Sequence, residues 1–169
     1  MWIRRFAINH TLPLMKYLLA LVLSILPLCQ AHACDRDLTG VWKSDNSKSM
    51  AYIRENAHIQ AKTDAFLDAL LGKMTLTFTG SELHVVMPDT RVPVSGKLRP
   101  FAGFEEKKPY KVLFCSAAMI VWSAARSFGK EDEATTFNFE TPDLVWIYGG
   151  SSVPGTPDIH TREYFRRVR

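Results

Sequence analysis

The sequence predicts an all-β protein: an antiparallel barrel of eight or nine short strands, with one small helical insert, behind an export signal. Three observations lead there. Apolar residues recur with a period of two in segment after segment between positions 74 and 168. Clusters of Gly, Pro, Asp and Ser separate these segments at close intervals, the spacing of sandwiches and barrels. One stretch, at about 47–72, switches to helical spacing. A barrel is preferred to a sandwich because closure leaves no sheet edge to pair with another chain.

Residues 1–33 read as an address. Tyr17 to Leu28 is apolar except at Tyr17 and Ser24, and it is shorter than the ~20 residues that cross a bilayer. Arg4, Arg5 and Lys16 precede it and Ala31-His32-Ala33 follows it. This is the pattern of a cleavable secretory signal, leaving a domain of residues 34–169. Met15-Lys16 alone starts a compact signal, so translation is expected from Met15. The net charge of +4 has the same origin. Residues 1–33 hold three cations and no acid, so the remaining 136 carry 18 Lys and Arg against 17 Asp and Glu. A nearly neutral exported domain is a poor fit to nucleic acid. The expected location is the periplasm or the medium, with no transmembrane segment after cleavage.

Beyond the signal stand Cys34 and Cys115. An even pair in an oxidising compartment reads as a disulfide; the competing reading is two separate thiols, with Cys115 in a core. Lipidation of Cys34 is the other alternative, to which Ala31 and His32 are poorly suited.

Gly40-Val41-Trp42 lies on a first strand that closes at Ser44-Asp45-Asn46, turn and helix-cap types. Met50, Tyr52 and Ile53 follow at helical spacing. Thr63 reads as an N-cap with Asp64 in the first turn, and Phe66, Leu67, Leu70 and Leu71 form one apolar face that Gly72 ends. Met74, Leu76 and Phe78 then alternate with threonines. Gly80-Ser81 turns the chain into Leu83, Val85 and Met87, with His84 on the other face. Pro93 marks residues 91–98 as a weaker edge strand, and residues 99–109 read as a charged loop. Strands are expected around Tyr110–Phe114, Met119–Ser123, Thr135–Glu140, Leu144–Tyr148 and Thr161–Val168, with a long loop from Gly149 to Asp158.

Gly40-x-Trp42 on the first strand, a helical segment after it and Arg162-Glu163-Tyr164-Phe165-Arg166-Arg167 on the last strand together resemble the lipocalin-like, or calycin-type, small exported bacterial barrels. The resemblance implies that Trp42 closes the barrel bottom, with Gly40 beside it, and that an arginine of the last strand packs on its ring. Arg162, Arg166 or Arg167 supplies that guanidinium. The late Thr-Asp-Tyr-like triplet of ligand-carrying lipocalins is absent, and the helical insert stands where many of them have an open loop.

No catalytic constellation stands out. His58, His84 and His160 lack metal-ligand spacing, and no nucleophile elbow or phosphate loop is present. Glu105-Glu106 and Glu131-Asp132-Glu133 read as solvated loop acids. Neither enzyme activity, a metal nor a cofactor is expected. The expected function is binding a small apolar ligand in the barrel, with Trp146, Tyr148, Phe137 and Phe139 as candidate contacts. The alternative is a periplasmic protein-binding module, of inhibitor or immunity type, that acts through its loops.

Overall fold

The computed structural model describes Cys34, residues 36–127, Gly129, residues 131–150 and residues 159–168. The expected signal at 1–33 and most of the Gly149–Asp158 loop lie outside the described residues. The elements are β1 (Gly40–Ser44), α1 (Asn46–Asn56), α2 (Ala61–Leu70), β2 (Thr75–Phe78), β3 (Glu82–Met87), β4 (Thr90–Val94), β5 (Lys97–Phe101), β6 (Phe104–Cys115), β7 (Met119–Ala125), β8 (Asp132–Thr141), β9 (Leu144–Gly149) and β10 (Thr161–Val168).

Eight of these strands close an antiparallel barrel in the order β1-β2-β3-β6-β7-β8-β9-β10, with β10 returning to β1. The period-two pattern fixes which residues face inward. Trp42 stands opposite Leu76, Leu76 opposite Val85, Trp122 opposite Thr135 and Val145 opposite Phe165. Directly opposed residues share a face, so one set of alternating side chains fills the interior. Trp42, Phe78, Phe137, Val145 and Phe165 are buried there.

The helical insert is two helices. Asp45 caps α1, its carboxylate accepting from the Lys48 amide at 3.0 Å. On the buried side of α1, Ser49 Oγ donates to Asp45 O and accepts from the Tyr164 amide on β10. Thr63 is not an N-cap: α2 starts at Ala61, directly after the N-cap residue Gln60, whose carbonyl accepts from the Thr63 and Asp64 amides. Asp64 keeps its place in the first turn and pairs with Arg54 at 3.0 Å. Gly72, at φ +80°, sits just past the end of α2, where a Cβ would meet Asn46 Cβ at 2.7 Å.

Residues 99–109 are not a loop. β4 and β5 form a hairpin outside the barrel, between β3 and β6 in the chain. Ser95 and Gly96, with φ 52° and 75°, make its turn, the positive-φ pair that two-residue hairpins favour. Pro93 is tolerated because the hairpin has only edges. Gly103 then brings the chain back across the Pro88-Asp89 backbone, with its amide donating to Asp89 Oδ1 at 2.7 Å. β6 begins at Phe104 and runs unbroken through Lys107-Lys108-Pro109. Charge made this segment read as a loop, but its alternation is that of a strand.

Candidate functional site

The two ends of the barrel differ. At one end Cys34 and residues 36–39 form a plug. Cys34 is joined to Cys115 at the end of β6, with their Cα atoms 5.5 Å apart. Trp42 Nε1 donates to Leu38 O at 2.8 Å. Arg36 Nε donates to Ala117 O at 2.9 Å, and its guanidinium lies 5.3 Å from the Phe139 ring centre. The guanidinium over Trp42 is that of Arg167, at 4.4 Å. Arg162 and Arg166 cannot serve, because they occupy the alternate, outward positions of β10. Arg162 lies between Tyr52 and Trp146, 4.3 and 3.8 Å from their ring centres, and Arg166 pairs with Asp45 at 2.9 Å. Gly40, at φ +121°, begins β1 in a conformation that other residues rarely adopt.

At the other end β1, β3, β7 and β9 finish and β2, β6, β8 and β10 begin. A cavity of about 300 Å³ opens here. Its wall is mainly apolar and includes Leu83, Val85, Phe104, Trp122, Phe137 and Ile147. Trp122 is edge-on to Phe78 and Phe137, at 5.4 and 5.8 Å between ring centres. Its buried Nε1 has no hydrogen-bond partner among the described residues.

One side of this wall is polar. On β6, Glu106 stands opposite Val85 and Lys108 opposite Leu83, so both share the inward face. Lys108 Nζ donates to Glu106 Oε2 at 3.1 Å and to Ser127 Oγ at 3.0 Å. Ser127 Oγ donates in turn to Glu106 Oε2 at 2.8 Å. The Lys108 side chain is 13% exposed and that of Glu106 25%. Glu106 is therefore not a solvated loop acid. Its neighbour Glu105 faces outward and holds His84 Nε2 at 2.7 Å. Arg126 and Glu133, at the rim of the cavity, form a second pair at 3.3 Å.

A third inward acid, Glu163, stands opposite Ile147 on β9 and accepts from Ser44 Oγ at 2.6 Å. Burial raises its carboxyl above the ordinary value, and the Ser44 hydrogen bond offsets this only in part.

Of the four candidate contacts, Phe137 lines the cavity. Phe139 lies nearer the plug, 6.2 Å from Trp42 between ring centres. Trp146 and Tyr148 face outward, because they stand opposite Tyr164 and Arg162; Tyr148 Oη meets His160 Nδ1 at 3.1 Å. Lys108, Glu106 and Ser127 escaped the sequence reading. The frame Phe104-x-Glu106-x-Lys108-x-Tyr110, aromatic at both ends, is the signal that places them on one face. Among the described residues no three His, Cys, Asp or Glu side chains gather as a metal site, and no helix is long and apolar enough to cross a membrane.

Compared with protein-family models, curated proteins and solved structures, the chain matches none. The closed eight-stranded antiparallel barrel is consistent with the lipocalin-like architecture that Gly40-x-Trp42 suggested.

Proposed function

We propose that this chain is an exported, calycin-type barrel that binds a small apolar molecule in the cavity at its open end and does no chemistry on it. The observation that carries this reading is the cavity itself. It lies inside a closed barrel, is walled mostly by hydrocarbon and, at about 300 Å³, falls at the lower end of small-molecule sites. An eight-stranded barrel is just wide enough either to be filled by side chains or to hold one small ligand. The Cys34–Cys115 disulfide supports export, since such bonds persist in oxidising compartments. Native mass spectrometry of protein released from its own periplasm tests the reading. A co-purified small molecule, lost on denaturation, is expected. Failure to bind any apolar probe in vitro, together with an empty native protein, would overturn it.

A second reading, a protein-binding module, is favoured by one feature. Around the register shift in β6, Val112, Leu113 and Phe114 are each about half exposed in succession. A run of this kind is a common mark of a protein contact.

A further inference from the structure

The β4–β5 hairpin leaves the barrel at the end where the cavity opens. β3 ends at Met87 and β6 begins at Phe104, which lines that cavity. Residues 90–104 hold Arg91, Lys97 and Arg99 and no acid, although residues 34–169 as a whole are nearly neutral. All three cations are exposed. Among the described residues their one hydrogen bond is long, from Arg91 Nη2 to Leu98 O at 3.5 Å. Leu98 stands between two of the cations in the chain and is 59% exposed, and Val94 beside the turn is 45% exposed.

The register distributes these residues around the tip. Val92 stands opposite Arg99 and Val94 opposite Lys97, so these four share one face. Val92 is buried, and β4 lies beside α2. Arg91 stands opposite Pro100 and Pro93 opposite Leu98 on the other face. Both faces therefore carry cations and exposed apolar side chains. A protein surface engages one face of such a hairpin, whereas a layer of lipid headgroups surrounds an inserted tip. Val94 and Leu98 then reach the acyl boundary, and the long cationic side chains bury their stems while their charges stay among the phosphates. The acids that flank the hairpin in the chain are engaged at its base. Asp89 accepts from the Gly103 amide at 2.7 Å, and Glu105 holds His84. The five residues from Asp89 to Val94 span about 17 Å, about twice the Debye length of ~8 Å at physiological ionic strength. The acidic residues 131–133 lie beyond β6 in the barrel order, whereas α2, beside which β4 lies, connects to β2 on the other side of β6.

We propose that the β4–β5 hairpin docks this protein on an anionic lipid bilayer, with Val94 and Leu98 inserted and Arg91, Lys97 and Arg99 on lipid phosphates. This goes beyond the ligand-binding reading and holds for an empty barrel as well.

The test is co-sedimentation of the native protein with vesicles of phosphatidylcholine and phosphatidylglycerol in equal parts, against vesicles of phosphatidylcholine alone. Binding to the anionic vesicles is expected to be tighter by about 100-fold at low salt and to weaken as salt is added. Lys97→Gln and Arg99→Gln should each weaken it about fivefold. Val94→Ser/Leu98→Ser should weaken it further through the lost apolar contact. Lys111→Gln removes an exposed cation near the plugged end and should leave binding unchanged. An unchanged Tm shows that each variant is folded; should the double serine variant not fold, the two glutamine variants decide alone. Equal or no binding to the two kinds of vesicle overturns the proposal. So does native-like binding by Lys97→Gln and Arg99→Gln, or an equal loss in Lys111→Gln, since the contact then lies elsewhere in the chain. If soluble polyglutamate binds more tightly than the anionic vesicles and displaces them, the hairpin's partner is an acidic protein and the lipid assignment fails.

Discussion

Arg167 lies over Trp42, with its guanidinium carbon 4.4 Å from the ring centre, while its two terminal nitrogens donate to the carbonyls of Thr39 and Asp37 at 2.6 and 2.5 Å. One side chain from the last strand thus holds the first strand and the plug in place. Stacking of this kind contributes about 0.5–2 kcal/mol, and each hydrogen bond from a charged donor about 1.5–3 kcal/mol. Arg167→Ala is therefore expected to lower stability by about 2–4 kcal/mol in urea unfolding. Arg167→Lys should recover only part of this, since an ammonium lacks the planar fork that stacks and reaches both carbonyls. Equal stability of Arg167→Lys and the native protein would show that the stack is incidental.

The plug has a second, covalent tie. The bond between Cys34 and Cys115 spans a sequence separation of 81, and the loop-entropy relation gives about 4–5 kcal/mol as an upper limit for such a closure. Reduction, or the double variant Cys34→Ser/Cys115→Ser, should lower the urea midpoint accordingly. Mass spectrometry without reductant should find the bond intact in the native protein; two free thiols there would remove this contribution.

Asp45 joins α1 to the barrel. Burial works against its charge, but the Lys48 amide and the Arg166 guanidinium outweigh this and hold its carboxyl below the usual value. A depressed folded pKa means that the unfolded chain takes up protons first as pH falls. The contribution of Asp45 is thus present above the unfolded value of about 4 and is lost as pH drops below it, through the folded pKa. Asp45→Ala should cost about 1 kcal/mol near neutral pH through the lost cap, and the gap to the native protein should close under acid. A gap independent of pH would mean that the carboxylate charge does not contribute.

Glu163 has the opposite sign. Its folded pKa is raised by burial, so stability is highest below the unfolded carboxyl value and declines as pH rises through the folded one. Glu163→Gln keeps an acceptor for Ser44 Oγ and removes the charge. It should raise Tm at neutral pH and have little effect below about pH 4, where the unfolded carboxyl is also protonated. A lower Tm at pH 7 would show that the ionised form is favoured in the folded protein.

The strand positions that alternate cleanly were legible from sequence. Leu83-x-Val85-x-Met87 and Phe137-x-Phe139 name their inward faces without help, and the barrel with its inserted helices follows from them. Charge hid β6: Glu105 to Lys108 has the composition of a loop, and only pairing with β3 shows that Glu106 and Lys108 turn inward. Face assignment failed differently at Trp146 and Tyr148. β9 is apolar on both sides, with Trp146 on its outer face lying against Arg162 of β10, which also packs on Tyr52 of α1, so periodicity there cannot distinguish inside from outside. The choice among three arginines needed the register as well, since only Arg167 shares the inward parity of Trp42.

Filling the cavity separates a binding site from an incidental void. Ala124 is buried, lines the cavity and sits on the inward face opposite Glu133. Ala124→Leu adds three carbons to the cavity rather than to close-packed core. Overpacking a filled core costs about 1–3 kcal/mol, whereas occupying an apolar void is neutral or stabilising. The variant should keep or raise Tm while apolar probe affinity drops at least about tenfold. A control, Val121→Leu, changes the opposite parity of the same strand and should leave binding alone. If Ala124→Leu binds the probe as the native protein does, the ligand does not sit in this cavity, and the exposed Val112–Phe114 run becomes the site to test next.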